Sequence, residues 1–448
     1  MKNLLTDLSQ LTTHSKDCTK HVFDKILSTL MVITLSPVMM INILCSLITR
    51  QPIYTYVVKK DALGHSVITN HFTCGILKSS ALLINIFMGQ LSFCGVPSTH
   101  RLAPQVQARI KLRYSCKPGI FSLFDLHRRT GLVIQDPETL LLKQLNSSSF
   151  DNALLLLKNL VCYCLYTTPS KGLIDTKKIS LFGLNLENLS MQEAVNWVTT
   201  TPKKTSTKSS TKISIKNTVI NKSTSDNINT VTNIGFFINV NSINLCLKQP
   251  DFHHTLQQAD KLLADGSGMR LAAKSAGYLL KDNTNGTDML PHLCLSCIEQ
   301  SKSIYFLGSK LGVAAKAASN LKKQFPGLLI AGTEHGFIGS SQLNKQIEKI
   351  NKSGCDILLV AMGSPFQEKW LLEHKEQLQC QTALAVGGLF DFYSGEIARA
   401  PLWLRELGLE WGWRLWQEPM VKFKRYVIGT PLFLFRIYVL GLARKGDK

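Results

Sequence analysis

Apolar positions run along this chain in two different rhythms. Near the N-terminus, Ile26 to Ile48 is almost uniformly apolar, a length sufficient to cross a bilayer as a helix. Pro37, preceded by Ser36, stands at its centre, where a proline removes one backbone hydrogen bond and predicts a kink. Lys16, Lys20 and Lys25 precede the segment and Arg50, Lys59 and Lys60 follow it, so the positive-inside rule finds no asymmetry to act on. A re-entrant hairpin with both ends cytoplasmic explains those flanks more simply than a span. A single transmembrane helix stays open as the alternative.

After a helical connector around Phe150 to Tyr166 the rhythm changes. Short β-rich runs appear at Ile179 to Gly183, Ile234 to Val240, Ile304 to Gly308, Leu328 to Gly332, Ile357 to Ala361 and Ala383 to Gly387. Between them lie amphipathic stretches such as Lys310 to Gln324 and Gln367 to Gln379, so a parallel sheet covered by helices is the predicted architecture. One tract breaks the pattern. Thr201 to Thr232 is rich in Thr, Ser, Asn and Lys, has no aromatic residue, and buries too little apolar surface to offset its ordering entropy, which predicts a disordered loop.

Composition narrows the partners. The 448 residues, 45% apolar, suffice for two or three domains, and the formal charge of +21 calls for a polyanionic partner. From Arg399 onward basic residues outnumber acidic ones and alternate with Trp403, Trp411, Trp413, Trp416, Phe423, Tyr426, Phe433, Phe435 and Tyr438. Such interleaving suits an anionic membrane surface, and no zinc-finger or RNA-recognition pattern supports nucleic acid. The 12 cysteines are scattered and no cleavable secretory signal precedes them, so buried thiols in a reducing compartment are expected. The lone Cys294/Cys297 and Cys162/Cys164 pairs lack the four ligands of a structural zinc site, and His253 and His254 point to different faces of a helix.

Three motifs follow predicted strands: ADGSGMR at Ala264 to Arg270, GSPFQEKW at Gly363 to Trp370, and GGLFDFYSGEIARAP from Gly387, leading into EWGWRL at Glu410 to Leu415. Together they resemble the WecG/TagA/CpsF glycosyltransferases, glycosyltransferase family 26. ISLFGLNLENLSMQEAVNWV at Ile179 to Val198 resembles the start of that family's domain, which makes the polar tract an insertion within it. The family transfers a sugar from a UDP-sugar to a polyprenyl-diphosphate-linked saccharide at the cytoplasmic face of the bacterial inner membrane.

Inverting sugar transfer needs a carboxylate base, groups that hold the donor sugar, and positive charge at the departing diphosphate. Asp265, between Ala264 and Gly266, matches the family's proposed catalytic base, and its flanking glycine predicts an exposed carboxylate. Read alone, it is an N-cap for the helix starting near Met269. Asn239 in INVNSIN, Gln367 and Asp391 match substrate-binding positions at strand ends, where open α/β sheets bind ligands. Thr287 and Asp288 fit another family element, although Asn283 stands where many members have arginine. Arg414 matches an arginine credited with the diphosphate, a task suited to its bidentate fork. Val421 occupies a position that is often basic. No Asp-x-Asp pair for a divalent metal and no GxGxxG after a strand is found, so neither metal nor organic cofactor is expected. Gly308 and Gly312 frame a turn that suits either a phosphate or close helix packing.

The N-terminal region, about Lys20 to Leu132, looks like a bacterial sugar transferase, a polyprenyl-phosphate sugar-1-phosphate transferase. That likeness rests on LSP at Leu35 to Pro37, NIFMGQLSFCG at Asn85 to Gly95 and KPGIFSL at Lys117 to Leu123. The family's Asp-Glu pair is replaced by Lys78 and Ser79, so its covalent phosphosugar intermediate has no nucleophile. The expected organisation is a degenerate, α-rich membrane domain over residues 1–150, a connector over 151–177, and a Rossmann-like α/β domain over 178–448 with a basic membrane-proximal appendage at 403–448. Two other readings stay open: a bifunctional enzyme, and a catalytically silent scaffold for polysaccharide enzymes. The donor sugar (N-acetylmannosamine, its uronic acid or glucose type) and a homo-oligomeric state are likewise undecided by the sequence.

Overall fold

The computed structural model describes residues 2–97, 104, 107–108, 117–130, 132, 137–166, 173–200, 204–205, 230–336 and 343–443. The chain divides into two compact units, Met1–Thr167 and Thr168–Lys448.

In the first unit a 47-residue helix α1 (Lys2–Ile48) leads into a hairpin of β1 (Tyr54–Lys60) and β2 (Ser66–Phe72). Then come α2 (Leu82–Phe87), the paired short strands β3 (Ser92–Cys94) and β4 (Gly119–Phe121), and helices α3 (Leu123–Thr130), α4 (Pro137–Leu145) and α5 (Ser149–Tyr166). The chain reversal expected at Pro37 is not there: α1 is one helix from end to end. Pro37 has no N–H for the Ile33 carbonyl, but the Ser36 hydroxyl donates to that carbonyl at 2.7 Å and satisfies it. Within α1, Lys20–Ile48 is long and apolar enough to cross a membrane. The stretch expected as a connector is, as far as Tyr166, part of this unit, because α5 buries Leu155, Leu156 and Cys162 and its Asn152 carbonyl accepts from the Cys94 thiol at 3.3 Å.

The second unit is a mostly parallel eight-stranded sheet. Its elements are β5 (Lys178–Leu181), β6 (Leu184–Glu187), α6 (Met191–Thr200), β7 (Lys204–Thr205), β8 (Thr230–Val231), β9 (Asn233–Ile238), α7 (Val240–Cys246), α8 (Pro250–Gln257), β10 (Lys261–Ala264) and α9 (Ser267–Ser275). They continue with α10 (Gly286–Glu299), β11 (Ser303–Gly308), α11 (Val313–Gln324), β12 (Leu329–Glu334), α12 (Leu343–Lys352), β13 (Ile357–Ala361), α13 (Phe366–Glu373), β14 (Thr382–Ala385) and α14 (Leu389–Ser394). The order in the large sheet is β12-β11-β13-β14-β9-β10-β6-β5, and only the edge pair β5/β6 is antiparallel. Strands β9, β13 and β14 are buried at every position, which is why β13 reads as an unbroken apolar run and β9 and β14 do so after their first residues, Asn233 and Thr382. The strand expected ahead of the motif at Ala264 is β10, while β6, which follows β5 after a two-residue turn, was not expected. Most of the tract expected to be disordered, 206–229, lies outside the described residues; its ends pair as β7 and β8.

The C-terminal segment is a run of short helices, α15 (Leu402–Glu406), α16 (Glu410–Gln417), α17 (Pro419–Phe423) and α18 (Gly429–Tyr438). It is only partly the surface element its composition suggested. Phe433 and Ile437 of α18 are buried in the main core, and Asn244 of α7 donates to the Gly429 carbonyl at 2.9 Å. Trp416, Met420 and Val421 stay exposed.

Candidate active site

Strands β11, β13, β14, β9 and β10 lie side by side in that order, and the segments leaving their C-terminal ends carry the candidate residues. At about 4.8 Å per strand the row from β11 to β10 is about 19 Å long. Neighbours β11 and β13 lead to β12 and β14 on opposite sides, the kind of switch point at which open parallel sheets form a crevice.

At the β9/β10 end, Asn239 is the N-cap of α7. Its Oδ1 accepts from the N–H groups of Asn241 at 3.0 Å and Ser242 at 3.2 Å, so its Nδ2 is turned the other way and donates to Asp265 Oδ2 at 3.1 Å. Asp265 follows β10 directly. Contrary to the sequence expectation its carboxylate is partly buried, and it is not the helix cap; Gly266 takes that position with φ +90°, a conformation that disfavours any side chain. An added Cβ at Gly266 would meet nothing within 4 Å, so the space in front of the loop is open. Burial pushes the Asp265 carboxyl above its usual range, while the Asn239 hydrogen bond and the charge of Arg425 oppose this and Asp288 adds to it. The loop is held from behind. Asn283 Oδ1 accepts from the Gly266 N–H at 2.6 Å, and the Thr284 N–H and hydroxyl both donate to the Ala264 carbonyl, at 3.1 and 3.2 Å.

At the β11/β14 end, Asp391 of α14 accepts from the Ser309 hydroxyl at 3.4 Å. Burial raises its carboxyl pKa, and the positive charge of Arg414 works against that rise. Arg414 lies over the Phe392 ring, 4.6 Å from its centroid, and donates to Glu418 at 3.2 Å, while its buried Nε has no partner. Lys422 approaches the same Glu418 carboxylate at 3.6 Å. Ser309 was not singled out from the sequence. Its signal is the preceding Gly308, whose Cβ would fall 2.3 Å from the Ala361 carbonyl oxygen, so the backbone there packs against the next strand and close packing accounts for that glycine.

Gln367, expected to contact the sugar, is held between the loops that leave β13 and β14. Its Oε1 accepts from the N–H groups of Gly363 at 3.2 Å and Gly387 at 3.0 Å, and its Nε2 donates to Glu368 Oε1 at 2.9 Å. The amide is buried and its polar atoms are occupied within the fold, so it ties the loop after β13 to the loop after β14. Asp288 is similarly committed: one oxygen pairs with Arg399, the other accepts from Asn285 Nδ2 at 2.7 Å. The Thr287 carbonyl accepts from the Tyr393 hydroxyl at 2.8 Å. These two residues therefore fasten the start of α10 to α14 and the segment after it.

Among the described residues no three His, Cys, Asp or Glu side chains group as a metal site would. Burial pushes the Cys294 and Cys297 thiols up to about 12, the behaviour of structural thiols. His253 and His254 have separate partners, the Phe182 carbonyl and Gln258.

Residues 179–447 match the model of the glycosyl transferase WecG/TagA/CpsF family. The N-acetylglucosaminyldiphosphoundecaprenol N-acetyl-beta-D-mannosaminyltransferase of Bacillus spizizenii is 30% identical over 186 residues, 40% of this chain and 72% of that protein. Its namesake in Bacillus subtilis is 30% identical over 174 residues, 39% of this chain and 67% of the relative. A Staphylococcus aureus protein of the same name is 24% identical over 265 residues, 59% of this chain and 93% of that protein.

Proposed function

The chain belongs to the WecG/TagA/CpsF glycosyl transferase family, and from that premise we propose that it moves a hexose from a UDP-sugar to a polyprenyl-diphosphate-linked saccharide at the cytoplasmic face of the inner membrane. N-acetylmannosamine is the favoured sugar and a lipid-linked N-acetylglucosamine the favoured acceptor, because the relatives at 30% identity carry those substrates in their names.

The observation that carries the reading is a carboxylate at one end of the strand row, aimed by Asn239, with a guanidinium beside Asp391 at the other. In the proposed step Asp265 takes the proton of the acceptor hydroxyl as its oxygen attacks the anomeric carbon. A carbon–oxygen bond forms on one face, the bond to the donor phosphate breaks on the other, and UDP leaves. A raised carboxyl pKa makes Asp265 a better base than an exposed aspartate, since proton transfer gains driving force as the base's pKa nears the working pH. Arg414, with Lys422 near it, stabilises the departing diphosphate without a metal. Asp391 and Ser309 hold the donor, Gln367 fixes the loops between, and Thr287 and Asp288 act through the start of α10.

Residues 1–167 serve in this reading as a non-catalytic membrane anchor descended from a sugar-1-phosphate transferase. Lys78 supports it: where that chemistry needs a carboxylate, its ammonium donates to the Thr73 carbonyl at 2.6 Å. Incubating the detergent-purified chain with a panel of UDP-sugars and N-acetylglucosamine-diphosphate-polyprenol analogues tests the proposal. UDP release that requires the acceptor is the expected result; no release with any donor would favour a silent scaffold.

A further inference from the structure

Hydropathy alone marks Lys20–Ile48 as a segment able to cross a membrane. The way α1 is packed argues against crossing. Five of its residues from Lys20 onward are buried, Asp24, Ser28, Met39, Asn42 and Ser46, and four of those five are polar. The exposed side chains include Ile26, Leu30, Ile33, Met40, Leu44 and Leu47, each at least half exposed. At about 100° per residue the exposed apolar set falls within about 60° of one direction, and the buried set clusters around the opposite direction. The helix is thus polar towards its own unit and apolar outward, the reverse of a helix whose outer face meets water.

Hydroxyls on the outward half are also prepared for an apolar medium. Thr29, Thr34 and Ser36 are exposed, yet each donates to a carbonyl three or four residues back, at 2.7, 3.1 and 2.7 Å. No charged residue occurs between Ile26 and Ile48. Lipid is the occupant this face fits, because a water-facing helix of this kind would expose a long apolar stripe and the basic residues Lys25 and Arg50 stand exposed at either end of that stripe to meet anionic headgroups.

The unit is fastened along the helix, not at one end. Near the start, Asp24 accepts from the Ser92 hydroxyl at 2.6 Å and the Phe93 N–H at 3.3 Å. In the middle, Met39 packs with Phe72 and Ala81, and further on Asn42 exchanges two hydrogen bonds with the backbone of Ile76, at 2.6 and 2.7 Å. Asp24 to Asn42 is 18 residues of helix, about 27 Å, close to the whole hydrocarbon thickness of about 30 Å. Were α1 to cross, the hydrogen-bonded structure between those points, including Ser92, Asn85 and the β2 edge, would have to enter the hydrocarbon with it. Polar irregular backbone is not tolerated there when it faces lipid.

We infer that α1 lies in the plane of the membrane surface, its Ile26–Leu30–Ile33–Met40–Leu44–Leu47 face immersed in one leaflet and the rest of its unit resting on the cytoplasmic side of it. This rests on the anchor reading of residues 1–167 and goes beyond it, replacing both a span and a re-entrant wedge by a shallow raft.

The test is a depth profile of the full chain in vesicles of phosphatidylethanolamine and phosphatidylglycerol. Nitroxide side chains are introduced one at a time at Ile26, Ile33, Met40 and Leu47 through an unnatural amino acid, and their relaxation by lipid-borne oxygen and by a water-borne nickel chelate is compared. All four labels at a common depth of about 5–10 Å is the expected outcome. Depth that grows steadily from one end to the other means a span, and a maximum between Ile33 and Met40 means a re-entrant wedge; either overturns the in-plane arrangement but leaves the anchor intact. Labels reached by nickel and not by oxygen, or by neither, overturn the anchor reading as well, since water or another protein then covers the face.

Discussion

Asn239 Nδ2 donates to Asp265 Oδ2 at 3.1 Å while Asn239 Oδ1 caps helix α7. A helix N-terminus thereby fixes which end of an amide faces the carboxylate. The pair joins neighbouring strand ends, and it makes the orientation of Asp265 a property of the sheet instead of a flexible loop.

Replacing that carboxylate is the most direct test of its role. Asp265→Asn is expected to lower the transfer rate by about 10² to 10⁴, the usual worth of a positioned general base, with donor binding retained. Turnover and UDP affinity measured on the same preparation check it, and a near-normal rate removes Asp265 from the mechanism.

The pH dependence follows from burial. The folded-state carboxyl pKa of Asp265 is raised, so transfer should fail on the acid side at a pH above the ordinary aspartate range. For stability, a raised folded pKa favours folding fully below the unfolded pKa, and that contribution is lost as pH rises through the folded value. Asp265→Asn should therefore raise the melting temperature at neutral pH and leave it unchanged in acid. Thermal melts at several pH values decide, and equal differences at all of them contradict the linkage.

Arg414→Ala should weaken UDP binding by about 10- to 100-fold, corresponding to the roughly 1.5–3 kcal/mol of a hydrogen bond to a charged group. Arg414→Lys should recover only part of this, because an ammonium cannot offer the planar fork. Titration calorimetry with UDP reads both variants; full affinity in Arg414→Ala would restrict this residue to the fold.

Gln367→Ala leaves the Gly363 and Gly387 N–H groups without their acceptor. A loss of about 1–3 kcal/mol in stability is expected, accompanied by a higher KM for the donor. Denaturant melts and steady-state kinetics test this, and a changed KM with unchanged stability would point to direct sugar contact.

Because Phe433 and Ile437 belong to the core, truncating the C-terminal segment would confuse unfolding with loss of membrane binding. Met420→Glu with Val421→Glu avoids this, since both side chains are exposed. Vesicle binding should fall while the melting temperature stays within the small range of surface substitutions. Unchanged vesicle binding argues that this face does not meet lipid.

Local pattern was enough for several parts of the protein. The run Ile357–Ala361 was expected as a strand and is β13 to the residue, because a fully buried parallel strand is apolar throughout and ends at a glycine-rich turn. The helix-covered parallel sheet and the placement of the motifs after strands were likewise legible in residue types and spacing, and the family in the resemblance of those motifs. Sequence also identified an apolar segment near the N-terminus, from composition summed over about 20 residues.

Tertiary structure decided the rest, because the decisive contacts join residues far apart in the chain. Only the strand order brings Asn239 beside Asp265, 26 residues on, and Ser309 beside Asp391, 82 residues on. Burial decided that Gln367 spends its amide on two loops and Asp288 its carboxylate on Arg399, roles that residue type does not distinguish from ligand contact. Average hydropathy is blind to which side of a helix is covered, so only packing revealed that Asp24, Ser28, Asn42 and Ser46 face inward on α1 and its apolar residues face out.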